Sequence, residues 1–155
     1  MTEEAQNQPA FNMDKIYVKD LSLEIPHAPQ IFLVRDNPEI EVQLHSSAAG
    51  IDEGVFEVTI TATVTAKVAD KVMFLIEAKE AGVFTVRNLP EGETEFVLAV
   101  MCPNIMFPYL REVVSDISVR AGFAPVLLNP INFEVLYQQQ KQQQAQAEAA
   151  QATTH

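Results

Sequence analysis

The chain has 155 residues and a net charge of −11, from 21 acidic and 10 basic side chains, a balance that argues against nucleic acid, whose phosphates demand a basic face, and equally against an anionic membrane surface. The length suits one domain, and an apolar content of 48% is enough for a sizeable core. Cys102 is the single cysteine, so neither an internal disulfide framework nor a CxxC redox or zinc motif is available.

Residues 1–10 read as a disordered leader, polar and acidic, without the basic and apolar regions of a signal peptide. Uninterrupted apolar runs are far shorter than the ~18–20 residues that span a bilayer. Cytoplasm is the expected compartment, and no direct membrane insertion is expected. Lys15 to Ile25 alternates with period two and predicts a first strand. Pro26, Pro29 and Pro38 break the next segment, which nevertheless holds the apolar run Ile31-Phe32-Leu33-Val34. Such a run either folds down as a flap on the core or lines a groove.

Glu39 to His45 predicts strand 2, and Ser46 to Gly54 a loop. Strand 3 covers Val55 to Val68, with a threonine row on one face and apolar residues on the other. A tight turn at Ala69-Asp70 leads to strand 4, Lys71 to Glu80. Strands joined by short loops pair antiparallel, which predicts a meander-like sheet with one apolar and one solvated face. The solvated face would gather Asp20, Glu24, Glu39, Glu41, Glu57 and Glu77, with Met73 and Leu75 as exposed apolar spots. Such a face suits a basic, partly apolar peptide; equally, its charge can simply keep the sheet soluble.

Glu91 to Met101 predicts a short helix. A second, longer helix follows, with Asn104 as N-cap, Pro108 in its first turn and Gly122 as terminator. Leu110, Val113, Val114 and Ile117 form its apolar stripe, and Tyr109 widens it. That arc is too wide for one sheet, so these five residues are the expected oligomer interface. Asn129-Pro130 predicts the start of a last helix with Val135 and Leu136 on its apolar side. Residues 138–155, rich in Gln and Ala, either prolong it or fray.

Catalysis finds little support. Cys102 in an apolar setting reads as packing, His27 and His45 show no metal-ligand spacing, and no glycine-rich phosphate loop exists. The expectation is no enzyme, no metal and no cofactor.

Four ordered motifs resemble the SecB family of bacterial protein-export chaperones. They are Ile16 through Pro29 (IYVKDLSLEIPHAP), Gly82-Val83-Phe84, Cys102 through Glu112 (CPNIMFPYLRE), and Gly122-Phe123 leading to Leu127 through Phe133 (LLNPINF). The domain so defined is 11–137. The resemblance implies an α+β fold, a four-stranded antiparallel sheet with helices packed on one face, assembled as a homotetramer that is a dimer of dimers. It implies an ATP-independent holdase that binds unfolded secretory precursor proteins and delivers them to the SecA motor ATPase. The SecA-binding positions fall on Asp20, Glu24, Leu75 and Glu77, and the expected ligand is the basic, zinc-binding C-terminal segment of SecA, so the zinc belongs to the partner. The client groove falls on Ile31, Phe32 and Leu33 on one side and Leu127, Leu128, Val135 and Leu136 on the other. The alternative is a SecB-like chaperone dedicated to another client, such as an antitoxin. The retained acidic quartet favours export. The chain lacks the crossover tryptophan of some relatives, and its tail carries a single glutamate where some relatives are more acidic.

Overall fold

The computed structural model describes residues 7–153. Four strands form one antiparallel sheet: β1 (Ala10–Glu24), β2 (Glu39–Asp52), β3 (Val55–Val68) and β4 (Lys71–Arg87). Their spatial order is β1-β4-β3-β2. The sheet is a meander only over its last three strands; β1 pairs with β4 rather than with β2. The proline segment prevents a β1–β2 hairpin and carries the chain across to the far edge. One 3₁₀ turn, Gln30–Leu33, forms along the way.

Three strands run longer than their alternation alone predicts. β1 begins at Ala10, which pairs with Arg87, so the expected leader 1–10 loses its last residue to the sheet; residues 1–6 of it lie outside the described residues. The stretch expected as a loop, 46–54, is mostly strand: Ser46 pairs with Ile60 and Asp52 with Val55. Small polar residues extend there because β3 offers unpaired backbone along its whole length. β4 likewise continues to Arg87 against β1. The turn at Ala69 and Asp70 holds as expected, with both residues at positive φ, 48° and 62°, the geometry of a tight hairpin. Met73 departs from expectation. It sits at the register shift opposite Ala66/Lys67 and is buried, because the bulge turns it off the outer face.

The helices differ more. A single helix, α1 (Glu93–Arg120), replaces the expected pair. Between Val97 and Met101 it widens into a π segment, and the Cys102 N–H reaches back to the Val97 carbonyl. The widened turn accommodates Pro103, which has no N–H to donate. Asn104 is therefore inside the helix and caps nothing, and Pro108 is interior rather than in the first turn. By length and mean hydropathy α1 could cross a bilayer; here Met106, Leu110 and Val114 are instead sunk against Phe74, Phe84, Ile60 and Ile76 of the sheet. Gly122, at φ 92°, ends it as expected, with the Phe123 N–H donating to the Ser118 carbonyl at 3.1 Å.

A ten-residue irregular arm, 123–132, follows. Helix α2 (Phe133–Ala152) starts three residues later than a cap at Asn129 would start it. The cap is Asn132, whose side chain accepts from the Val135 N–H at 3.1 Å. The Gln/Ala stretch prolongs this helix to Ala152.

Candidate binding trough and acidic face

Helix α1 covers the middle of the sheet and leaves its β2 edge open. On the helix side of β2, Ile40, Val42 and Leu44 point inward by their pairing with Ala66, Val64 and Ala62. Ile40 and Val42 remain half exposed, whereas those β3 partners are fully buried. The arm 125–131 and α2 stand beside this edge and make the second wall.

The result is a trough with two depressions. One, of about 410 Å³, is lined by Ile40, Val42 and Leu44 with Pro125 to Asn129 and Ile131. The other, of about 270 Å³, lies between Leu44 to Ala48 and the helical residues Leu98, Phe133, Leu136 and Tyr137. Leu44 belongs to both, so the depressions are continuous along β2. From Ile40 to Ala48 the strand spans roughly 27 Å, the length of about eight extended residues.

Local chemistry fixes the walls. The arm is tied to α1 by Ser118, a buried hydroxyl that donates to the Ser115 carbonyl at 2.8 Å and accepts from the Val126 N–H at 2.9 Å. Those two bonds hold Leu128 in the core and turn Leu127 outward, 2% and 63% exposed respectively. Phe133 packs edge-on to Phe107 at 6.0 Å, and Tyr137 edge-on to Phe96 at 5.9 Å, which seats α2 on α1.

The predicted groove residues separate. Leu127 and Leu128 line the first depression and Leu136 the second; Val135 is half exposed on α2. Ile31, Phe32 and Leu33 line neither. Ile31 is core, Phe32 stacks on Phe123 at 5.2 Å, and Leu33 is largely exposed. Sequence reasoning missed Ile40, Val42, Leu44 and Ser118. The first three carried a signal, alternation on what proves to be an edge strand. Ser118 carried none.

The opposite face of the sheet brings the acidic quartet together. Pairing sets Glu24 beside Leu75, Ser22 beside Glu77, and Asp20 beside Lys79. Asp20, Glu24, Leu75 and Glu77 thus occupy two neighbouring strands within roughly 14 Å along the strand direction. The three carboxylates are exposed and enter no ion pair among the described residues. Leu75 is half-buried between them. The threonines Thr61, Thr63 and Thr65 continue the same rows across β3. Glu57 lies farther along and is engaged: Lys19 Nζ bonds it at 2.6 Å and the Tyr17 hydroxyl donates to it. The Lys19 hydrogen bond, then that of Tyr17, hold its carboxyl below the usual range.

Within its own chain, α1 uses Leu110 and Val114 for the core, so these two of the five expected interface residues face the sheet. Val113 and Ile117 are half-buried, and Tyr109 is exposed. Met101, Ile105 and Val119 add further exposed apolar surface. Cys102 is fully buried, and burial pushes its thiol up to about 12, so it stays protonated and unreactive at neutral pH.

A sheet-and-helix scaffold with a long apolar trough at an open edge and a charged platform behind it defines a polypeptide-binding protein. The family described as preprotein translocase subunit SecB matches residues 4–144. The Protein-export protein SecB of Methylobacillus flagellatus is 57% identical over 150 residues, 97% of this chain and 94% of the relative. That of Nitrosomonas eutropha is 60% identical over 144 residues, 92% and 90% of the two chains. The chain belongs to the SecB family and is a chaperone of protein export. A solved Mycobacterium tuberculosis SecB-like chaperone, in complex with a ChAD peptide from an antitoxin, shares the fold. It matches with a TM-score of 0.65 at 16% identity, over 78% of this chain and 90% of that one.

Proposed function

We propose that the protein is an ATP-independent cytoplasmic holdase that keeps unfolded secretory precursors in its β2 trough and passes them to SecA. The trough carries this reading: an apolar channel about eight residues long, beside a strand edge with unpaired backbone groups, fits an extended and unfolded segment. Leu127, Val135, Leu136, Ile40 and Val42 supply the contact. The crossover contributes at one end, where Phe32 stacks on Phe123 two residues before the arm begins to line the trough.

Binding the unfolded state alone shifts the folding balance by mass action and consumes no nucleotide. Each trough holds a segment weakly. A homotetramer, built as a dimer of dimers through Tyr109, Val113, Ile117 and the exposed apolar residues around them on α1, presents several troughs to one long chain. Effective concentration then raises avidity by ~10²–10⁴. Asp20, Glu24, Leu75 and Glu77 dock the basic, zinc-binding C-terminal segment of SecA. Leu75 supplies an apolar contact among the three carboxylates, and the zinc belongs to SecA, so the chain needs no cofactor of its own.

The decisive experiment dilutes an unfolded precursor into buffer with the purified protein and without ATP, and follows light scattering. Suppressed aggregation at stoichiometric excess is expected. Undiminished aggregation would reject the holdase reading.

A further inference from the structure

Among the described residues, Glu80 is the one charged side chain in the buried set, at 4% exposure. It lies on β4 on the helix side of the sheet, where strand alternation sends Ala78 and Phe84 as well. Its cross-strand neighbours are Val18 on β1 and Ile60 on β3, both apolar. Its Oε2 is out of water and has no hydrogen-bond partner. Across the seam, α1 presents another carboxylate, the solvent-exposed Glu112, whose field reaches Glu80 as the lesser influence after burial.

Among the described residues, no cation pairs with either of these two. Lys19, next to Val18, reaches the other face to bond Glu57 at 2.6 Å, and Lys79 stands opposite Asp20. Of the remaining titratable residues on α1, Glu93 and Glu95 are in its first turn, Cys102 is buried and protonated, Tyr109 and Arg111 are exposed, and Asp116 and Arg120 pair with one another at 2.9 Å. On β3, Lys67 is exposed and Glu57 is already paired. An ionised Glu80 would therefore be a buried charge without a counter-charge and beside a like charge. Two escapes exist: the carboxyl keeps its proton, or the seam opens to water.

We propose that the seam between β4 and α1 is a proton-dependent latch, closed while Glu80 is protonated and loosened when Glu80 ionises beside Glu112. Burial first, and the field of Glu112 second, raise the Glu80 carboxyl from 4.5 to about 7. A raised carboxyl means that the folded chain binds this proton more tightly than the unfolded chain does. Its stabilisation is complete below the ordinary carboxylate range and is lost as pH rises through about 7. The latch is a property of the single chain and does not depend on the client or SecA assignments above.

Carboxyl ¹³C NMR on the full chain tests it directly. One glutamate should titrate near neutrality, vanish in Glu80→Gln, and move to lower pH in Glu112→Gln. Urea unfolding supplies the second readout: between about pH 5.5 and about pH 8 the wild-type unfolding constant should rise by at least about tenfold, and Glu80→Gln should abolish most of that rise. Amide exchange in α1, corrected for intrinsic rates, should accelerate over the same interval in the wild type alone. Absence of any carboxyl titrating above about pH 6, or a Glu80→Gln chain that keeps the wild-type pH dependence, would overturn the latch. The Glu112→Gln measurement decides the matter even where Glu80→Gln folds poorly, since an unmoved midpoint there removes the proposed pair.

Discussion

Replacing Leu127 with aspartate tests the trough at the most exposed of its apolar side chains. Leu127 is 63% exposed and so free to be buried by a bound segment. Complete burial of a leucine side chain contributes about 1.5–3 kcal/mol, so the part still available here contributes about 1–2 kcal/mol. At about 1.4 kcal/mol per tenfold, each occupied trough should bind an unfolded segment roughly 5- to 30-fold more weakly. A carboxylate at that point also resists desolvation, which pushes the loss toward the upper end. The fold should scarcely notice, because an exposed substitution away from caps and cores usually stays within about 0.5 kcal/mol. A fluorescence-anisotropy titration with a labelled unfolded segment gives the affinity, and a circular-dichroism melt gives the stability. An unchanged affinity alongside an unchanged melt would refute the placement of the client beside the arm. Leu128 makes the natural contrast: it is 2% exposed, so the same substitution there should unfold the chain rather than weaken binding selectively.

Three further outcomes are expected. Glu77→Lys reverses the central charge of the acidic quartet and should weaken binding of the SecA C-terminal segment, with a shallower salt dependence, while client holding persists; calorimetry at two ionic strengths reads the first and light scattering the second. Parallel loss of both activities in an intact fold would count against a separate docking face. Leu110→Ala removes a fully buried side chain between α1 and the sheet and should cost about 2.7–5 kcal/mol in urea unfolding; a cost below about 1 kcal/mol would contradict that packing. Gly122→Ala places a methyl group at φ 92° and 3.1 Å from the Phe32 ring, and should destabilise by about 1–2 kcal/mol or more, seen as a lowered melting temperature.

The Gly82-Val83-Phe84 motif shows how a short resemblance acquires a physical reason. A Cβ on Gly82 would stand 2.7 Å from the Phe84 ring, which is buried and stacked with Phe11 at 5.8 Å. The glycine is the space in which that ring lies. The CPN stretch had a different resolution. Its prolines read locally as a helix entrance, yet α1 passes straight through them, because the π segment supplies a longer hydrogen bond where Pro103 has no N–H. Backbone hydrogen-bond partners five residues back are invisible to a pattern that counts caps and turns.

The sequence by itself determined the central parts of the four strands, the tight turn at Ala69-Asp70, the helix stop at Gly122 and the acidic composition of the outer face, since all of these are set by neighbours a few residues away; the strand extensions at 10–14, 46–52 and 81–87 came from their pairing partners. Alternation placed Asp20, Glu24 and Glu77 on one side of their strands, and register then made them adjacent. Tertiary structure alone decided which strand would be an edge. That choice depends on pairing between β1 and β4, about sixty residues apart in sequence, and it leaves Ile40 and Val42 uncovered as a trough while it buries their partners Ala66 and Val64. It also decided that Glu80 would lose its water to α1. A glutamate in an alternating strand looks like any other until the face it points to is known.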